Sequence, residues 1–137
     1  MPTTRVAPAH VQLQMLSKTD LHSLADGLLA PEPWIVDRCV EFVIAETDGH
    51  WHGRARAMMC RRLKHCDLGR THRTQLLASI LGRLDSGAFT EQFKDQLRLV
   101  IQLDLQRALE TCRGAAMSAK PHVRRYAQWV LAHEQNR

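Results

Sequence analysis

The sequence predicts an all-α fold, and three observations carry that expectation. Strand signals are nearly absent: β-branched and polar residues do not alternate over any length, and no Asn-Gly or Asp-Gly joins two alternating runs. Apolar residues recur instead at helical spacing through most of the 137 residues. The breaks between periodic segments are short, so consecutive helices are expected to be antiparallel neighbours.

Taken in order, residues 1–9 read as a loose start, and 10–17 are ambiguous. Leu21, Leu24, Ala25 and Leu28 then fall at i, i+3, i+4 and i+7, with Asp20 or Thr19 as the expected cap. Pro31 and Pro33 suit a loop and the first turn of a helix over about 33–47. Its apolar set (Ile35, Val36, Cys39, Val40, Phe42, Val43 and Ile44) is broad enough to predict the most buried helix, ended by Asp48-Gly49. A basic helix over about 52–66 follows, with Ala55, Met59, Leu63 and Cys66 as its apolar stripe. The next runs over about 71–85, capped by Thr71, with a stripe of Leu76, Leu77, Ile80, Leu81 and Leu84. Asp85-Ser86-Gly87 breaks it, and Thr90 is the expected cap of a helix reaching about 103. Asp104 starts a helix with Leu105, Ala108, Leu109, Cys112 and Ala116 on one face. Lys120-Pro121 opens the last, to about 134. At this length the chain fits one ordinary domain, read as 10–137.

Three segments within this series align without gaps: Ala55-Arg56-Ala57-Met58-Met59 up to Leu63, Phe93-Lys94-Asp95-Gln96-Leu97 up to Ile101, and Val123-Arg124-Arg125-Tyr126-Ala127 up to Leu131. Each reads apolar, basic, two variable residues, apolar, then an aliphatic four further on. The first residues, 55, 93 and 123, are spaced by about one helical hairpin. The third, PHVRRYAQWVL, resembles the second helix of a HEAT repeat, where Val-Arg is followed by alanine and then leucine. The resemblance covers about three quarters of the chain. It implies antiparallel pairs over roughly 31–66, 71–103 and 104–135, stacked into a short right-handed array with a concave face for a partner. HEAT repeats usually place an aspartate in the turn before the arginine. His50, Ala88 and Ser118 stand there in this chain, with Asp48 and Asp85 nearby but out of register. An irregular helical bundle therefore stays open beside the HEAT-like solenoid.

Composition excludes several classes. An apolar fraction of 45% with 24% charged residues is that of a soluble globular chain. No run approaches the roughly 18 apolar residues of a membrane span, and the N-terminus lacks the apolar core of a secretory signal. The four cysteines, at 39, 60, 66 and 112, form no CxxC pair and read as reduced thiols of a cytoplasmic protein. Arginine outnumbers lysine 15 to 4, which suggests a GC-rich bacterial genome.

Metal binding fails on reach. His50 and His52 open the helix whose far end carries His65 and Cys66, and thirteen residues of helix separate the two histidines at 52 and 65 by about 20 Å. Zinc ligands lie about 2 Å from the ion, so no one ion joins both pairs; the histidines read as surface and cap residues. No phosphate-cradling glycine loop, nucleophile elbow or HExxH helix is present. The arginines around Cys60 and Cys66 would lower a thiolate pKa, but no base or oxyanion site accompanies them. No catalytic residue, metal ligand or cofactor is assigned.

Charge is the loudest signal. Residues 1–49 carry seven acids against three bases, 50–73 carry seven bases against Asp67 alone, and 74–137 are net +3. On the 52–66 helix, Arg54, Arg61 and His65 share one side, flanked by Arg62 and Lys64. Such a face can track phosphates. It can equally be neutralised by Asp37 and Glu41 on the preceding helix. Among the tryptophans, Trp34 is expected in the core and Trp51 half-buried. Trp129, beside the stripe of the last helix, is either an anchor for a partner or packed on its neighbour. The reading is a small non-enzymatic helical scaffold that binds another macromolecule, most directly a protein, through Arg54, Arg61, Arg62, Lys64, His65 and Trp129. The alternative is a nucleic-acid-binding module using the basic face over 54–73, and an enzyme of unknown class comes third.

Overall fold

The computed structural model of the chain describes residues 7–89 and 91–135, and among these there are helices and no strand. They fall into two compact units, Met1–Leu68 and Gly69–Arg137. Of the loose start expected over 1–9, residues 1–6 lie outside the described residues, as does the Thr90 cap, whereas 7–9 are helical.

In the N-terminal unit, α1 (Ala7–Gln14) takes in part of the segment read as ambiguous and packs on α3. α2 (Lys18–Gly27) is capped by Ser17 rather than by Asp20 or Thr19. The Ser17 hydroxyl accepts from the Asp20 amide at 3.1 Å, and the Asp20 carboxylate accepts from the Ser17 amide at 3.0 Å. This is a capping box with aspartate at its third position, one residue type away from the usual signature. α3 (Pro33–Ala45) buries all of its predicted apolar set except Ile44, which is half-buried. It ends earlier than Asp48-Gly49, at Glu46, whose φ of 55° is left-handed. α4 (His52–Leu63) packs on both α2 and α3. Its buried side is wider than the predicted stripe, because His52, Ala57 and Cys60 join Ala55, Met59 and Leu63, while Cys66 is half-buried.

In the C-terminal unit, α5 (Arg70–Ser86) buries all five stripe residues expected of it. Its N-cap is Gly69, which has no side chain to cap with, so Thr71 lies inside the helix. Gly87 ends it at φ 81°, with its amide on the Arg83 carbonyl, the left-handed terminus that glycine adopts without a Cβ penalty. A Cβ there would also lie 3.0 Å from the His122 and Lys120 side chains. A 3₁₀ turn (Glu91–Phe93) leads into α6 (Lys94–Leu103). Asp104 caps α7 (Leu105–Ala115) by accepting from the Arg107 amide at 3.1 Å, as expected of it. On α7 the buried positions are Ala108, Leu109, Cys112 and Ala115, so the expected Ala116 is displaced by its neighbour. α8 (Pro121–Gln135) buries Val123, Tyr126, Ala127 and Val130. α5 packs on α6, α7 and α8; α6 packs on α7, and α7 on α8.

Candidate functional site

The basic residues singled out by sequence lie on or just after α4, and the structure separates them by environment. Arg54, Arg61 and His65 are exposed; Arg62 and Lys64 are half-buried. Arg62 is tied down, because its guanidinium donates to Asp26 on α2 at 3.0 Å. Glu41, one of the acids expected to meet this face, is engaged on its own helix by Arg38 at 3.7 Å. Compensation of Arg62 thus comes from α2, since α4 packs against α2 as well as α3. With both side chains partly in water, that pair adds little stability.

Arg54 has a different neighbour. Its guanidinium stands over the Trp51 ring at 5.6 Å, and the Lys18 ammonium stands over the same ring at 4.8 Å. The His22 ring lies 4.9 Å away, tilted by 36°. Trp51 is half-buried, as expected, and is the N-cap of α4 with a left-handed φ of 75°.

Trp129 belongs to the C-terminal unit. It is half-buried, with Lys94 and Arg98 of α6 each 5.3 Å from its ring and His133 at 5.9 Å. Arg98 also donates to Asp95 at 3.2 Å, one turn back. The indole is thus neither a bare anchor nor a core residue: it is a ring with cations parked around it.

Trp34 departs from expectation. It is 61% exposed. The cause is helical phase: Trp34 lies three and seven residues before Asp37 and Glu41, which are exposed, whereas Ile35 and Val36 lead the buried rows. Leu29, in the loop before it, is 70% exposed.

His52 also departs from the surface or cap role. It is buried in the N-terminal unit, with Nε2 donating to the Leu16 carbonyl at 3.0 Å and Phe42 5.1 Å from its ring. Because a carbonyl only accepts, Nδ1 accepts from the Thr47 hydroxyl, 2.6 Å away. The Thr47 oxygen in turn accepts from Arg56 at 3.2 Å. His52 is therefore committed to holding the chain before α2 against the start of α4. Among the described residues no three His, Cys, Asp or Glu side chains come together as a metal would need.

The thiols are largely shielded from water. Cys39, Cys60 and Cys112 are buried and Cys66 is half-buried. Desolvation, with a smaller push from Cys66, raises Cys39 to about 12, and desolvation, with a smaller push from Asp85, raises Cys112 to about 12. Cys66 is raised as well, by burial, which overturns the lowering expected from its arginines. A thiol held protonated is a poor nucleophile.

Sequence reading missed Lys18, His22, Lys94, Arg98 and His133 as neighbours of the two indoles. Part of the signal was present: Lys18–His22, Lys94–Arg98 and Trp129–His133 are all i, i+4 pairs that share a helix face. Which ring each pair would meet depends on the packing between helices. No protein-family profile matches the chain, and neither a curated protein nor a solved structure is similar to it. Among the described residues no helix is long and apolar enough to cross a membrane.

Proposed function

We propose that the chain is a small non-enzymatic helical adaptor, working in the cytoplasm, that docks a protein partner. The observation that carries this reading is Trp34, 61% exposed on the first turn of α3, with Leu29 70% exposed five residues before it. A packed protein rarely leaves a tryptophan in water, and tryptophan is the side chain most enriched among residues that dominate interface energetics. Pro31 and Pro33 fix φ on either side of Glu32, so this corner loses little freedom on binding. The four raised or buried thiols support a non-catalytic role and a reducing setting. A HEAT-like arrangement of hairpins is supported by the packing of α3 on α4, α5 on α6 and α7 on α8. On this reading Trp34 takes the anchoring role first given to Trp129, and the exposed Arg54, Arg61 and His65 flank the docking surface or serve a second one.

The test is affinity capture from the source cell after nuclease treatment, with wild type and Trp34→Ala side by side. A protein retained by wild type and lost with Trp34→Ala, at an unchanged melting temperature, is the expected result. Identical captures would remove Trp34 from the interface, and loss of every partner on nuclease treatment would remove the protein-docking reading.

A further inference from the structure

Each unit carries a half-buried indole with the same set of neighbours. Trp51 has Lys18 at 4.8 Å, Arg54 at 5.6 Å and the His22 ring at 4.9 Å. Trp129 has Lys94 and Arg98, both at 5.3 Å, and the His133 ring at 5.9 Å. In both places the four long cations are exposed, whereas the indoles are held by the scaffold. Trp129 sits on α8 next to buried Val130, and Trp51 joins the segment anchored by Thr47 and His52.

We propose that Trp51 and Trp129 are base-stacking plates for single-stranded nucleic acid, with Lys18 and Arg54 at one plate and Lys94 and Arg98 at the other meeting the neighbouring phosphates. A ligand that fits must offer flat π faces and negative charge within one side chain's length of each other. An acidic peptide offers the charge and leaves the rings unused. A duplex offers phosphates while its base faces stay stacked inside. A single strand offers both, which is how sequence-tolerant binders of single strands work. In the free protein the cations rest on the rings. On binding, a base takes the ring face and the flexible cations swing to phosphate, an exchange in the favourable direction because base stacking outweighs an exposed cation–π contact. The backbone at Trp51 points the same way. Its φ of 75° is a conformation that a bulky residue rarely adopts, and strain of this kind gathers where a side chain must be held for binding.

This inference is independent of docking through Trp34, and the experiment separates the two. The probe is a fluorescein-labelled oligothymidine of about twelve nucleotides, titrated with the full chain at low and near-physiological salt. Binding is expected at about 10⁻⁴ to 10⁻⁶ M near physiological salt, with log K at each plate falling against log salt with a slope of about −1.4 for its two cations. In a Trp34→Phe background the remaining tryptophan emission should be quenched on binding, since only Trp51 and Trp129 then report. Trp51→Leu and Trp129→Leu should each weaken binding at its own plate about tenfold and leave the other plate unchanged, while the phenylalanine versions keep most of the binding. Trp34→Ala should leave binding unchanged. Should Trp51→Leu fail to fold, Lys18→Gln with Arg54→Gln alters only exposed side chains and should flatten the salt slope by about 1.4. Equal binding of polyglutamate without quenching would assign the cations to an acidic polypeptide and overturn the proposal. A preference for duplex, leucine variants that bind like wild type, or no binding at low salt would also overturn it. A Trp34-dependent protein partner would survive each of those results.

Discussion

The N-terminal unit turns from α3 into α4 through two non-glycine residues at positive φ, Glu46 at 55° and Trp51 at 75°. The C-terminal unit leaves α5 through Gly87 at 81°, where the left-handed backbone carries no Cβ. The two also fasten their helices differently. In the N-terminal unit a polar chain runs from the Leu16 carbonyl through His52 and Thr47 to Arg56. In the C-terminal unit the corresponding work is done by rings. Phe89 stacks on Phe93 at 4.2 Å, and Tyr126 meets both edge-on, at 5.2 Å from Phe89 and 6.2 Å from Phe93. Its buried polar contact is Arg83 donating to Gln96 and Ser79, and longer-ranged bonds run from Arg73 to the Leu103 carbonyl and from His122 to the Gly87 carbonyl. One unit therefore has a buried polar chain beside a strained turn. The other has a cluster of rings beside an unstrained one, with polar bonds of its own. The strained turn is also where an indole is displayed among cations.

The largest effects should be equal in the two units. Phe42 and Phe93 are both fully buried, so Phe42→Ala and Phe93→Ala should each cost about 3–5 kcal/mol, the range for truncating a core aromatic. Urea midpoints followed by far-UV circular dichroism would measure both. A loss below about 1 kcal/mol at either position would mean that its unit relaxes around the cavity, and the two units would then differ in softness more than in how their helices are fastened.

The polar chain should separate the units. His52→Ala removes a ring that satisfies a carbonyl and a hydroxyl inside the N-terminal unit, and about 2–3 kcal/mol should be lost. Thr47→Val keeps the shape, strands the His52 Nδ1 acceptor, and should cost about 1–2 kcal/mol. His122, half-buried in the C-terminal unit, has one such bond, to the Gly87 carbonyl at 2.9 Å, and His122→Ala should cost about 1 kcal/mol. Equal losses at His52 and His122 would show that the buried chain is no more than ordinary packing.

These positions also mark what the sequence could say. The α5 stripe was legible because five aliphatics at i, i+3 and i+4 spacing leave one face to bury, and the Asp104 cap because aspartate before an apolar run has one common use. Trp34 was not read correctly because size was weighed above phase; its spacing from Asp37 and Glu41 already put it on the polar side. His52 was misread because no local pattern reports that a carbonyl from Leu16 will arrive 36 residues away in sequence to accept its proton. At the candidate site Arg54, Arg61 and His65 were rightly placed on an outward face. The cations around the indoles were not found, because a ring meets Lys18 or Lys94 only after two helices have packed.

The two left-handed turns should respond with opposite signs. Gly87→Ala adds a Cβ where φ is 81° and where the His122 and Lys120 side chains are 3.0 Å away, so about 1–2 kcal/mol should be lost. Glu46→Gly relieves the left-handed backbone at φ 55°, and the relief, offset by glycine's greater unfolded-state freedom, should leave a gain of about 0.5 kcal/mol. Thermal melts of the two variants would decide it. A loss at both would mean that the Glu46 side chain contributes more than its backbone costs.

The smallest effect is at the start of α2, and it carries the pH dependence. Ser17→Ala deletes the hydroxyl that accepts from the Asp20 amide and should cost about 1 kcal/mol, the usual worth of an N-cap. The reciprocal bond holds the Asp20 carboxyl below its ordinary 3.8, first through the Ser17 amide and second through the Ser17 hydroxyl. A carboxyl lowered by folding contributes stability that is present above the unfolded value and is lost as pH falls through the folded one. Its contribution should therefore be complete at neutral pH, begin to decline near 3.8 and vanish below the folded value. Asp20→Asn should remove that acid-dependent component while leaving the Ser17 hydroxyl in place. Melting curves of wild type and Asp20→Asn at pH 7 and at descending pH below 4 would test it, with the difference between the two shrinking as acid is added. A difference that stays constant down to the lowest pH would show that the Asp20 charge does not hold the cap, and that the hydroxyl alone starts α2.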